Sequence, residues 1–305
     1  MSGRDINRIA VLMGGPSSES EVSRVTGQQC ALCLRQEGYD VIEVEAGEDF
    51  TQRLADVAPD VVFNALHGRW GEDGCVQGIL EWLQIPYTHS GVAASSLAMN
   101  KLLTKTLAYA VANLPTADSV LIPQQGLNGR HPLRKPYIVK PVAEGSSVGV
   151  SVIGDGDAPP DVTSGGKYGQ MMAEVYVPGR ELTVTVFEDQ PLTVTEIIAP
   201  DWYDYDAKYQ PGGSQHVVPA DISADISDMC MRYALQAHQV LGCRGISRTD
   251  FRWNDELGIA GIRLLETNTQ PGMTPTSLSP EQGEYCGISF ARMCRSLVED
   301  ASCRK

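Results

Sequence analysis

Basic side chains are scarce in this chain of 305 residues: 24 Lys+Arg stand against 38 Asp+Glu, a formal net charge of −14. Binding a nucleic-acid backbone needs clustered cations that release counterions, so nucleic acid is excluded as the expected partner. The same deficit disfavours an anionic membrane surface, and no apolar run approaches the roughly 18 residues that would span a bilayer. No membrane association is expected. Net charge governs solubility and association rather than sites, however, so an acidic chain can still hold a polyanion in a small basic pocket.

Other signals are missing too. The first apolar stretch, Ile9–Met13, is shorter than the roughly 7–15 residues of a signal-peptide core, which predicts a cytoplasmic protein. Eight cysteines without an export signal read as reduced thiols rather than a disulfide framework. Cys30-Ala-Leu-Cys33 is formally a CxxC, but it falls in a helical pattern and has no second pair, so packing explains it better than metal. The dinucleotide fingerprint GxGxxG and the Walker loop GxxxxGK[ST] are both absent. There is no internal repeat.

What is present is an alternation. Residues 9–91 pass through short apolar runs at Ile9–Met13, Asp40–Glu45 and Val61–Ala65, separated by helical patterns at 21–38, 49–57 and 74–84. Strands alternating with helices predict a parallel α/β unit. A helical pattern over 92–114 carries Lys101 and Lys105, and Pro115 ends it. Strand patterns follow at 137–140, 148–153, 171–177, 181–187, 192–198, 244–252 and 259–267, with helices at 224–241 and 280–298. At about 100–200 residues per domain, the length suggests two domains or three small ones.

Several short constellations sit at strand ends. Gly14-Gly15-Pro16-Ser17-Ser18-Glu19-Ser20-Glu21 joins a strand to a helix, where α/β sheets bind ligands, although a plain capped turn would read the same. His67-Gly68-Arg69-Trp70-Gly71-Glu72-Asp73-Gly74 packs one His, one Arg and two acids among three glycines, and its His67 reads equally as a hydrogen-bonded loop residue or a catalytic one. In Lys140-Pro-Val-Ala-Glu144-Gly-Ser-Ser-Val-Gly149 small residues between two strands let backbone N–H groups approach a phosphate, with Lys140 as the cation; a purely structural hairpin is the alternative. Asp250, Glu266 and Asn268 lie on two successive strands, and Glu266 and Asn268, two apart, share a face. Oxygen donors without His or Cys suit Mg²⁺ shared with phosphates. Lys208-Tyr209 closes a polar, Tyr-rich segment with the character of a lid.

In this order, these stretches resemble the D-alanine:D-alanine ligases of the ATP-grasp superfamily. The resemblance spans nearly the whole chain and rests most on Glu144-Gly-Ser-Ser-Val-Gly149 and Glu266-Thr-Asn-Thr-Gln-Pro-Gly-Met-Thr-Pro-Thr-Ser-Leu278. It implies an ATP-grasp fold of mixed α/β and α+β class: a parallel α/β domain over 1–91 and two α+β domains, 92–177 and 178–305, enclosing the nucleotide. It also implies ATP-driven joining of two D-alanine molecules through an acyl phosphate, for peptidoglycan precursors, with two Mg²⁺ (or Mn²⁺) held by Asp250, Glu266 and Asn268. Lys101, Lys140 and Lys208 would offset phosphate charge, and Glu174 and Glu181 would meet adenine and ribose. Glu19 would hold the first D-alanine amine and hydrogen-bond with Ser146 and Tyr209, tying loop and lid to the substrate. Arg248 and the Gly272 N–H would form the oxyanion hole, His67 would lie near the first D-alanine, and Ser277 with Leu278 near the second carboxylate. Homodimers are common in the family. Two departures stand out: 154–167 is rich in Gly, Asp and Pro where relatives usually carry a helix, implying a thinner wall over the nucleotide, and Val175 replaces a polar residue.

Overall fold

The computed structural model describes residues 6–145, 148–162, 169–198 and 215–303. Its first sheet is parallel, in the order β2-β1-β3, from β1 (Arg8–Met13), β2 (Asp40–Glu45) and β3 (Val61–Asn64). Helix α1 (Ser20–Gln36) covers one face, while α2 (Phe50–Val57) and α3 (Cys75–Leu83) lie on the other. Because side chains alternate along a strand, Ile9, Val11 and Met13 pack with α1 while Ala10 and Leu12 pack with Leu54 and Leu80. Burial on both faces explains why β1 and β3 read as unbroken apolar runs rather than alternating ones.

The pattern over 92–114 is two helices, α4 (Val92–Met99) and α5 (Lys101–Ala112). Asn100 is the break: it is extended, and its side chain accepts a bond from the Leu103 N–H, so it caps a new helix instead of continuing the old one. Lys101 thereby opens α5. The second sheet, antiparallel, runs β4-β7-β5-β6, from β4 (Ser119–Leu121), β5 (Tyr137–Pro141), β6 (Ser151–Ile153) and β7 (Met171–Val175). Residues 154–162 carry no helix, in keeping with their Gly and Pro content.

A third sheet, also antiparallel, has the order β10-β9-β8-β11-β12. It comprises β8 (Arg180–Phe187), β9 (Gln190–Ile198), β10 (Gln215–Val217), β11 (Ile246–Trp253) and β12 (Ile262–Asn268). One face, with Leu182, Val184, Val186 and Phe251, packs on α6 (Ala224–Leu241) and α5. The closing pattern over 280–298 is again two helices, α7 (Leu278–Tyr285) and α8 (Phe290–Asp300), separated by Gly287 at φ 77° and by Ser289, which caps α8 through the Arg292 N–H. Helix α8 returns to the first sheet, where Met293, Cys294 and Leu297 are buried against α1. Each fully buried side chain of that size contributes about 1.5–3 kcal/mol, enough to hold the end of the chain there.

Candidate active site

The second and third sheets face each other across a cleft of about 810 Å³. Ile138, Lys140, Glu174 and Val175 line it from β5 and β7, and Glu181, Asp250, Arg252 and Glu266 line it from the larger sheet. A second cavity, of about 1440 Å³, opens between the first sheet's loops and the loop after β12; Glu19, His67, Glu72, Arg248, Asn268, Gly272, Ser277 and Leu278 border it. Glu266 borders both.

The strand pattern explains how the two spaces share a floor. Asp250 lies opposite Glu266 and Arg248 opposite Asn268 in the β11–β12 ladder, so all four side chains share one face. Arg248 donates two bonds to Asp250, Nε to Oδ1 at 2.8 Å and Nη2 to Oδ2 at 2.8 Å. Thr183 donates to Asp250 Oδ1 at 2.6 Å, and Asn268 Nδ2 to Oδ2 at 3.1 Å, which leaves the Asn268 Oδ1 outside that bond. Lys101 Nζ sits 3.1 Å from Glu266 and donates to the Glu144 carbonyl at 2.6 Å. One ammonium thus joins the Gly-rich loop to the shared carboxylate. Two carboxylates and an amide oxygen on one strand face form a hard-oxygen donor set that fits Mg²⁺ or Mn²⁺.

Behind the cleft lies a buried ion cluster. Glu174 on β7 is 3% exposed; its Oε1 accepts from Lys140 at 2.8 Å, and its Oε2 pairs with Lys105 and accepts from Ser119 Oγ at 3.1 Å. Lys105 also donates to the Leu264 carbonyl at 3.0 Å. Burial alone would raise the Glu174 carboxyl, but the two ammonium groups overcome it and hold it down at about 2. On β8, Glu181 lies 3.6 Å from Arg252.

At the second cavity, Glu19 precedes α1 and is 6% exposed. Two glycines press on its carboxylate: a Cβ at Gly68 would lie 2.3 Å from Oε2, and one at Gly145 would lie 2.7 Å from it. The turn before it is fixed by Ser17 Oγ donating to the His67 carbonyl at 2.7 Å and by Ser23 Oγ donating to Ala65 at 2.8 Å. His67 Nε2 lies 3.0 Å from Thr26 Oγ1, and burial pushes the imidazole pKa down against the pull of Glu19. Glu72 accepts the Gly68 N–H at 2.8 Å; desolvation and then the nearby Glu19 push its carboxyl up to about 8. On the opposite wall Ser277 Oγ lies 2.7 Å from Thr274 Oγ1 and would be 3.0 Å from a Cβ at Gly272, so that loop is tightly wound.

The structure therefore gathers Glu19, His67, Arg248, Gly272, Ser277 and Leu278 around one cavity, and Lys140, Glu174 and Glu181 around the other, with Lys101, Asp250, Glu266 and Asn268 where they meet. Ser146, Lys208 and Tyr209 lie outside the described residues. Sequence reading gave no role to Lys105, Glu72 or Gln270. Gln270 is 3% exposed, accepts from Asn64 Nδ2 at 2.9 Å and donates to the Leu66 carbonyl, tying the loop after β12 to the end of β3. For Lys105 the available signal was its place one helical turn after Lys101.

A parallel α/β unit followed by two antiparallel sheets that close over a lysine- and acid-lined cleft defines an ATP-grasp protein. The family models described as D-ala D-ala ligase N-terminus and C-terminus match residues 43–90 and 111–299, and the chain belongs to that family. A D-alanine–D-alanine ligase of Ruegeria sp. (strain TM1040) is 59% identical over 298 residues, 98% of this chain and 97% of the relative. One from Cereibacter sphaeroides is 59% identical over 305 residues, 100% of this chain and 99% of the relative. Among solved structures, the Bacillus anthracis D-alanine–D-alanine ligase complexed with ATP superposes with a TM-score of 0.79 at 26% identity, covering 96% of this chain and 97% of that one.

Proposed function

We propose that the chain joins two D-alanine molecules to D-alanyl-D-alanine at the expense of ATP, for peptidoglycan precursor synthesis. The observation that carries this reading is the position of Glu266, which borders both the cleft between the antiparallel sheets and the cavity at the N-terminal loops. A reaction that passes a phosphoryl group from a nucleotide to an amino-acid carboxylate needs two adjoining sites, and a carboxylate at their junction could hold a metal that offsets the phosphate charge. Family membership supplies the substrates.

In this reading ATP occupies the cleft, with Glu174 and Glu181 on the base and sugar side and Lys101, Lys140 and Lys208 on the phosphate side. Asp250, Glu266 and Asn268 would hold two Mg²⁺ (or Mn²⁺), which supply charge neutralisation at the phosphates. The first D-alanine lies in the other cavity, its ammonium against Glu19, backed by Ser146 and Tyr209, and its carboxylate toward the nucleotide near His67. Phosphoryl transfer gives an acyl phosphate and ADP. The amine of the second D-alanine, its carboxylate near Ser277 and Leu278, then attacks; Arg248 and the Gly272 N–H stabilise the tetrahedral oxyanion, and phosphate leaves. The Glu19 carboxylate, crowded by Gly68 and Gly145, supports a cation-binding role because it is buried in a cavity rather than spent in solvent.

We also propose three domains, supported by the three sheets, with divisions near 91 and 177. No helix among the described residues is long and apolar enough to cross a membrane. A cytoplasmic location is supported by the family role and by the eight free cysteines. Exposed Ile79, Trp82 and Leu83 on α3 support a homodimer, which sedimentation would reveal.

Phosphate release from ATP tests the reaction. D-alanine should stimulate it and L-alanine should not, and D-alanyl-D-alanine should accumulate. Faster depsipeptide formation when D-lactate is added at neutral pH would overturn the choice of second substrate.

A further inference from the structure

The ion cluster behind the cleft contains a lysine to which the proposed reaction gives no task. Lys140 and Glu174 line the cleft, whereas Lys105 is 4% exposed and stands behind them, reaching the cleft only through the Glu174 carboxylate. Two ammonium groups therefore share one buried carboxylate. Lys105 is anchored on its far side by the Leu264 carbonyl at 3.0 Å, so it is fixed between α5, β7 and β12, while Lys140 borders the open space.

This asymmetry has a consequence for nucleotide binding. A polyphosphate entering the cleft attracts Lys140 and draws its charge away from Glu174 Oε1, 2.8 Å away. A buried carboxylate stripped of its last cation is strongly unfavourable. With Lys105 in place the carboxylate keeps an ion pair and the Ser119 hydroxyl when Lys140 leaves, so the exchange is balanced. We infer that Lys105 is a positioning residue for the nucleotide: it holds Glu174 ion-paired, and so releases Lys140 to the phosphates. The inference rests on the reading of the cleft as the ATP site. A lysine serving only to brace α5 against β7 would affect folding and both substrates alike.

Direct ATP binding and steady-state kinetics on the full chain separate these cases. Lys105→Met and Lys105→Gln should each weaken ATP binding about tenfold or more and raise KM for ATP in step, with KM for D-alanine within twofold of the parent. Lys105→Arg, which keeps the charge, should stay within about threefold for ATP. In a Lys140→Met/Glu174→Gln background, where there is no ammonium to release and no buried carboxylate left unpaired, adding Lys105→Met should change ATP binding by less than twofold. The inference falls if both neutral variants bind ATP like the parent, if KM for D-alanine rises in parallel, or if the tenfold loss persists in that background. A parent chain that releases no phosphate with D-alanine and binds no ATP would defeat the proposed function, and this inference with it; a parent that does both, with unchanged variants, defeats the inference alone.

Discussion

Glu19 shows how much a missing side chain can matter. Gly68 and Gly145 approach its carboxylate so closely that a methyl group on either would overlap Oε2, and Gly68 also sits at φ 70°. Gly145 has no such backbone demand, so its place in the Glu-Gly-Ser-Ser-Val-Gly loop is explained by this contact. A methyl there meets the tip of a flexible side chain, which can swing aside. Gly145→Ala should therefore cost little stability but displace Glu19, raising KM for D-alanine about tenfold or more while KM for ATP moves much less; parallel kinetics on both substrates checks this. Glu266 is the other residue whose chemistry is exposed to test. Glu266→Gln keeps the size but removes the charge opposite Asp250, so activity should fall by about 10²-fold or more with an unchanged thermal melt. Glu266 was singled out from its local pattern, because oxygen donors spaced two apart on a strand carry their meaning locally; Glu19 entered only through the family resemblance, since its loop reads equally as a plain capped turn. Glu174 was read only as a nucleotide contact; its two lysine partners come from α5 and β5, and no local spacing shows that.

At the scale of elements, the segment between β3 and α4 is the informative one. Tyr87 bridges Val62 as a short continuation of the first sheet, and His89 follows at φ 67°, buried, with its ring edge-on to Phe63 at 5.6 Å. Burial, then the Arg244 charge, pushes the His89 imidazole down to about 3 from an ordinary 6.5. The folded state thus stays neutral at His89 while the unfolded chain takes up a proton as pH falls below 6.5. Stability from this group is complete above pH 6.5 and is lost toward pH 3, at about 1.4 kcal/mol per pH unit. Chemical denaturation should show the midpoint falling between pH 7 and pH 5, and His89→Asn, which tolerates the left-handed backbone, should flatten that slope. Asn100 and Gly287 each divide what reads as one helical stretch, since apolar spacing continues through a cap whose backbone has already turned, and the three-residue strands β4 and β10 are too short to show a pattern.

Across the whole molecule, Arg244 fastens the N-terminal part of the chain to the C-terminal end. Its guanidinium donates to the carbonyls of Tyr87 at 2.6 Å, His89 at 2.7 Å and Ser302 at 3.1 Å, and lies over the Tyr87 ring at 5.2 Å. The first sheet thereby stays fixed relative to the loop before β11, and so does the distance between Glu19 and the strand face bearing Arg248. Removing the cation takes the Arg244 donor from three carbonyls, of which that of Tyr87 keeps only the Ser302 N–H at 3.3 Å. Arg244→Ala should lower unfolding free energy by about 3 kcal/mol or more, read as a lower urea midpoint at constant slope. Asn64 and Gln270 make a second tie between the same parts of the chain, 2.9 Å apart in the buried space between them.

The sequence by itself determined the class of fold, since the period of apolar residues distinguishes strand from helix wherever a strand or helix buries one side. It also marked the strand-end loops as candidate sites, because a glycine-rich loop or a pair of oxygen donors acts over a few residues, while the roles of those residues came from the family resemblance. The scarcity of basic charge did not preclude a pocket in which a few lysines stand among acids. Tertiary structure alone decided how that pocket is built: which carboxylate each lysine meets, that one of those lysines stands behind the cleft and not in it, and that α8 returns to close the first sheet's core. Those pairings join residues far apart in the chain, whose meeting depends on how three sheets pack, and packing is a property of the whole surface rather than of any local pattern.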